Sequence, residues 1–100
     1  MAIYIVLVNF TDQGVRNLKD TIKRADAARE MAKKFSVTIK EIYWTLGSYD
    51  EVIIFEAPDD ASLAAFLASV GALGNVRTQT LRAFSQADMK GILAKLGSGK

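Results

Sequence analysis

Residues 45–60 read TLGSYDEVIIFEAPDD, and this stretch decides the fold. A strand-like run breaks at Gly47 and turns through Ser48, Tyr49 and Asp50. It restarts at once as Val52-Ile53-Ile54-Phe55 and stops at Pro58. Gly supplies a positive φ, and Ser and Asp bond nearby backbone, so two such runs joined this way predict a hairpin. Pro58 cannot donate to a ladder, so the strand over 50–57 ends there, and Asp59 or Asp60 is expected to cap a helix.

The other arm of the hairpin is residues 37–46, VTIKEIYWTL, and its alternation slips. Val37 and Ile39 share one phase, whereas Ile42, Trp44 and Leu46 share the other. A bulge near Lys40-Glu41 puts all five on one side. Upstream, residues 3–10 are β-branched and aromatic, a strand. Thr11 or Asp12 then caps one long helix with the apolar stripe Val15, Leu18, Ile22, Ala25, Ala28, Ala32 and Phe35, ending at Ser36.

Downstream of Pro58, Leu63, Phe66, Leu67 and Val70 follow helical spacing, and Gly71 and Gly74 terminate that helix. Residues 76–84 form a fourth strand. Ser85 and Asp88 make a capping box for a short last helix with Met89, Ile92, Leu93 and Leu96 on one face. The order β-α-β-β-α-β plus a terminal helix predicts an α+β, ferredoxin-like domain over 1–96, followed by a flexible tail at 97–100. No internal repeat or linker interrupts it.

Helices in this arrangement cover one face of the sheet, yet the strands are apolar on both. Ile3, Ile5 and Leu7 alternate with Tyr4, Val6 and Val8, and Ile53 and Phe55 with Val52 and Ile54. Two-sided apolar strands predict that both faces are covered. A second copy of the chain, packed sheet against sheet as a homodimer or higher oligomer, is the expected cover.

Composition removes several function classes. Lys+Arg 13 against Asp+Glu 11 leaves a net charge of +2, a mixed surface without a nucleic-acid footprint. The cations of residues 19–34 are interleaved with Asp20, Asp26 and Glu30, which predicts a solvated helix face. With Cys 0 and His 0 there is no thiol nucleophile, no Ser-His-Asp arrangement, and neither of the commonest transition-metal ligands. No metal or cofactor is expected. The N-terminal Met-Ala-Ile-Tyr shows no basic region or cleavage site, and no apolar run approaches the ~20 residues of a membrane span. A cytoplasmic protein without a membrane partner is expected.

The loop itself admits two readings. As a turn, Tyr49 packs on the sheet edge and Asp50 ties the loop down. As a ligand loop, Gly47 lets a small molecule approach the backbone, with the Asp50 carboxylate offered to it. The wider string LGSYDEVIIFEAPDDASLAAFL, followed by GALGNVRTQTLRAF, closely resembles the small bacterial and archaeal GYD-domain family, and VNFTDQGVRNLKD and VTIKEIYWTLGSYD resemble it too. Gly47, Tyr49 and Asp50 match the motif for which that family is named. The resemblance implies its fold; the family's activity is largely uncharacterised.

The loop, the apolar strand after it and NVRTQT also resemble the effector-binding domain of the Lrp/AsnC regulators, a dimeric α+β barrel. That likeness implies a site between subunits lined by Gly47, Tyr49 and Asp50, with Thr78 and Thr80 on the neighbouring strand. Trp44 is either a packing residue or a pocket wall. Those regulators carry an N-terminal helix-turn-helix, whereas here a strand begins at Ile3, so DNA reading by that route is not expected. The expected function is a non-catalytic small-molecule-binding or assembly module. The alternatives are a cofactor-free monooxygenase- or isomerase-like enzyme of the dimeric α+β barrel class, and a purely structural ring or cage subunit.

Overall fold

A computed structural model describes residues 1–98. It places β1 (Ala2–Phe10) inside one antiparallel sheet, between β3 (Glu51–Ala57) and β4 (Val76–Ala83), with β2 (Thr38–Trp44) outside β3. The helices are α1 (Asp12–Arg16), α2 (Thr21–Lys33), α3 (Asp60–Ala72) and α4 (Gln86–Ser98). The fold is the expected ferredoxin-like α+β arrangement, and α2 and α3 lie over one face, the inner face.

The register assigns every strand residue to a side. On the inner face Tyr4, Val6 and Val8 stand opposite Phe55, Ile53 and Glu51 of β3, and opposite Arg82, Thr80 and Thr78 of β4. On the outer face Ile3, Ile5 and Leu7 stand opposite Glu56, Ile54 and Val52, and opposite Ala83, Leu81 and Gln79. The core is inner: Tyr4, Val6, Val8, Val37, Phe55, Leu63 and Phe66 are buried. Phe66 meets Phe55 edge-on at 5.6 Å and Phe35 at 6.1 Å, the geometry ring quadrupoles favour.

The β2–β3 ladder shifts between Ile39 and Glu41, so Lys40 is the extra residue of a bulge, as the phase slip predicts. Ile39, Ile42 and Trp44 thereby stand opposite Phe55, Ile53 and Glu51 on the inner face. Leu46 departs from the expectation: it lies beyond β2 and is exposed.

The long helix also departs from expectation. It is broken into α1, a 3₁₀ turn (Leu18–Asp20) and α2. Asn17, with φ −105° and ψ 28°, closes α1, and Arg24 reaches back to the carbonyls of Asn17 and Gly14. The break swings the first half of the stripe away from the sheet. Val15, Leu18 and Ile22 are exposed, and only Ala25, Ala28, Ala32 and Phe35 face inward.

Caps fall where the side chains predict them. Thr11 accepts from the Gly14 amide at 3.2 Å, and Asp59 from that of Ser62 at 2.8 Å. Ser85 and Asp88 exchange bonds of 3.0 Å each way. Gly71 lies within α3, and the positive φ of 88° falls at Gly74. α4 continues through Ser98, so Gly97 and Ser98, expected in a flexible tail, end a helix; residues 99–100 lie outside the described residues.

α4 sets its half-buried Ile92 beside Arg82 and Phe84 and leaves Leu93 and Leu96 exposed. The radius of gyration, 15.5 Å, exceeds the ~13 Å of a compact chain this long, in keeping with a helix that stands off.

Gly14 marks the tightest joint. A Cβ there would lie 2.2 Å from the Asn75 carbonyl oxygen, which accepts the Thr11 amide at 3.0 Å. Gly14→Ala is expected to push α1 off the start of β4 and to cost about 1–3 kcal/mol. Urea unfolding measures this; a loss under ~0.5 kcal/mol would show that the joint yields freely.

Candidate functional site

The GSYD loop is built against β1. Thr45 donates its amide to the Asp50 carbonyl at 2.9 Å and its hydroxyl to the Tyr49 carbonyl at 2.6 Å, closing the loop on itself. Gly47 takes φ 102°, the conformation a side chain would resist. The Asp50 amide donates to the Val8 carbonyl at 2.8 Å, and its Oδ2 accepts the Phe10 amide at 2.8 Å. The carboxylate thus extends the β3–β1 ladder past its last backbone pair.

Tyr49 reaches from the loop to β4, where its hydroxyl donates to Gln79 Oε1 at 3.0 Å. Gln79 stands opposite Leu7, so Tyr49 lies along the outer face. That face carries a continuous apolar surface. Ile3, Ile5, Leu7, Val52 and Ile54 are only half-buried in the single chain, and Leu81 is 45% exposed.

The sheet separates the six residues that the sequence groups into one site. Gly47, Tyr49 and Asp50 gather at one end of it, with Tyr49 on the outer face. Trp44, Thr78 and Thr80 belong to the inner face, opposite Glu51, Val8 and Val6. Thr78 lines a cavity between the sheet and the two helices. Thr80 is exposed beside it. Trp44 Nε1 donates to Thr21 Oγ1 at 3.0 Å, tying β2 to the start of α2.

Sequence patterning passed over one residue here. Glu51 opens β3 on the inner face and is only 7% exposed. Burial pushes its carboxyl above the usual range, Arg24 opposes the shift, and neighbouring Asp50 adds to it. A glutamate leading an apolar strand in the phase of Ile53 and Phe55 was the available signal. At the far end of the same face Tyr4 donates to Asp60 Oδ1 at 2.5 Å, beneath the Arg82 guanidinium. The tyrosine pKa is raised, first by that hydrogen bond and then by burial.

Among the described residues no group of three or more Asp or Glu side chains could hold a metal ion, and no helix is long and apolar enough to cross a membrane.

The GYD domain family matches residues 4–93 of the chain. A Thermus thermophilus protein named "Glutamine synthetase and cystathionine beta-lyase binding protein" is 34% identical over 90 residues, covering 89% of this chain and 95% of that protein. Among solved structures, TTHA0845 of Thermus thermophilus is 25% identical with a TM-score of 0.55, covering 85% of this chain and 95% of that one. FFRP-DM1 shares the fold at 19% identity and a TM-score of 0.59, covering 84% of this chain and 100% of that one. MtbAldR does so at 15% and 0.67, covering 85% of this chain and 52% of its own, so this chain spans about half its length.

Two outcomes follow from these bonds. Asp50→Ala strands the Phe10 amide and should cost about 1–3 kcal/mol, whereas Asp50→Asn keeps an acceptor and should cost less. Equal losses in urea unfolding would show that the carboxylate's charge, and not its bond to Phe10, ties the loop. For Glu51 the sign is opposite. An acid whose folded pKa is raised stabilises most below its unfolded value, near 4.5, and that contribution is lost as pH rises through the folded value. Glu51→Gln should therefore melt above wild type at pH 7, with the gap closing below about pH 4.5. A gap unchanged across that range would show that Glu51 ionises without strain.

Proposed function

The chain belongs to the GYD-domain family, and from that premise we propose that it is a non-catalytic binding and assembly module, a homo-oligomer that also docks onto other proteins. One observation carries this reading. Ile3, Ile5, Leu7, Val52, Ile54 and Leu81 form an apolar surface on the outer face, over which none of the sheet-packed helices lies. Such a surface marks an interface. A second copy of the same face is self-complementary and would bury it sheet against sheet, the dimeric α+β barrel arrangement.

Tyr49 lies on this surface, so Gly47, Tyr49 and Asp50 would shape the rim of the pairing interface. Their hydrogen bonds favour this positioning role over catalysis: Asp50 is held by the Phe10 amide and Tyr49 by Gln79. The name of the Thermus relative says that it binds glutamine synthetase and cystathionine beta-lyase. Carried to this chain, it supports partners of the same kind, folded metabolic enzymes, engaged by the surface that pairing leaves exposed.

Sedimentation velocity at micromolar concentration tests the assembly. Wild type should sediment as a dimer or larger of 10.9 kDa chains. Ile54→Asp places a charge in the middle of the patch and should weaken association at least ~30-fold, about 2 kcal/mol, with the circular dichroism unchanged. A folded wild-type monomer overturns the assembly half. Absence of co-sedimentation with either enzyme overturns the docking half.

A further inference from the structure

The inner face contains a feature that outer-face assembly leaves unused. Between the sheet and helices α2 and α3 lies a cavity of about 160 Å³, walled by Val6, Ile53, Phe66, Val70 and Ala28. Into its lining comes one carboxylate, Glu51. We propose that this cavity binds a small neutral molecule about the size of one six-membered ring, with an apolar body and a single hydroxyl or N–H group that donates to Glu51.

Size and lining set the body of the ligand. An apolar protein cavity of about 150 Å³ is large enough to take up benzene. The walls here are aliphatic and aromatic, so most of the guest must be apolar.

Glu51 sets the head. Among the described residues its side chain makes no hydrogen bond or ion pair, although the residue is only 7% exposed. Its oxygens keep a little accessible surface, yet a largely desolvated carboxylate without a protein donor gains from a ligand that brings one.

The neighbouring charges set the ligand's own charge. Asp50 adjoins Glu51 in the chain and disfavours an anion. Arg24 also lines the cavity and offsets the pull that the Glu51 carboxylate exerts on a cation. Its guanidinium donates to the Asn17 and Gly14 carbonyls and lies 5.7 Å from the Phe10 ring centre. A neutral donor satisfies both constraints. Thr21, Asn75 and Thr78 also contribute to the lining and supply its polar edge. This site is independent of the proposed self-assembly, since it lies on the opposite side of the sheet.

The test uses isotope-labelled full-length protein and follows amide chemical shifts during titration with phenol, benzene, benzoate and benzylamine. Phenol should shift amides around Val6, Ala28, Ile53 and Val70 saturably. It should bind at least ~10-fold more tightly than benzoate or benzylamine. Glu51→Gln replaces a charged acceptor with a neutral one and should weaken phenol about 10-fold while leaving benzene unchanged. Ala25→Leu narrows the cavity and should weaken both; the spectrum of each variant reports directly whether it is folded. Scattered or non-saturating shifts overturn the site. Phenol binding that is indifferent to Glu51→Gln overturns the role of the carboxylate. Sedimentation of the same samples reads the assembly separately.

Discussion

β1 is paired along both of its edges, to β3 and to β4, and the rest of the domain depends on it. An antiparallel strand in that position has no free ladder positions. Its alternate side chains must therefore serve two different surfaces. Tyr4, Val6 and Val8 are buried under the helices, and Ile3, Ile5 and Leu7 line the outer face. A one-residue slip would exchange one apolar set for the other, so alternation alone fixes register less firmly here than in a one-sided sheet. The Lys40 bulge protects that register on β2 by returning Ile42 to the side of Ile39. The edge-on stack of Phe35, Phe66 and Phe55 then fixes the helices over the strands.

The GSYD loop is anchored to the same strand. The loop closes the β2–β3 hairpin at the end where β1 runs into Phe10. Asp50 ties that end down by donating its amide to the Val8 carbonyl and accepting the Phe10 amide on its carboxylate, and Tyr49 crosses to Gln79 on β4. Loop, central strand and edge strand are coupled through three side chains. A turn alone requires the glycine; the tyrosine and aspartate carry contacts that reach two other strands.

The two faces then offer different chemistry. The outer one is broad and apolar, suited to burial against another protein surface. The inner one closes over a small cavity where α2 passes the sheet with alanines in its lining. Ala25, Ala27 and Ala28 cannot fill the space that larger side chains would occupy. Val15, Leu18 and Ile22, earlier on the same stripe, are exposed.

Strand and helix order, the bulge, the Ser85 capping box and the α+β class were legible in the chain, and the first two caps were legible to within one residue, Thr11 or Asp12 and Asp59 or Asp60. Each depends on contacts between near neighbours or on a period of two or 3.6 residues, and local physics of that kind is written in the sequence. Two-sided apolar strands were equally legible, since alternation alone exposes them. The helix break was not. It rests on Arg24 reaching back to the Asn17 and Gly14 carbonyls and on the close approach of Gly14 to Asn75, a residue 61 positions away. The separation of Tyr49 from Trp44, Thr78 and Thr80 was also hidden, because which side of a sheet a loop residue crosses is decided by its partner on a distant strand. The phase of Glu51 put it on the inner face from the sequence alone, but its burial is a property of the assembled layers.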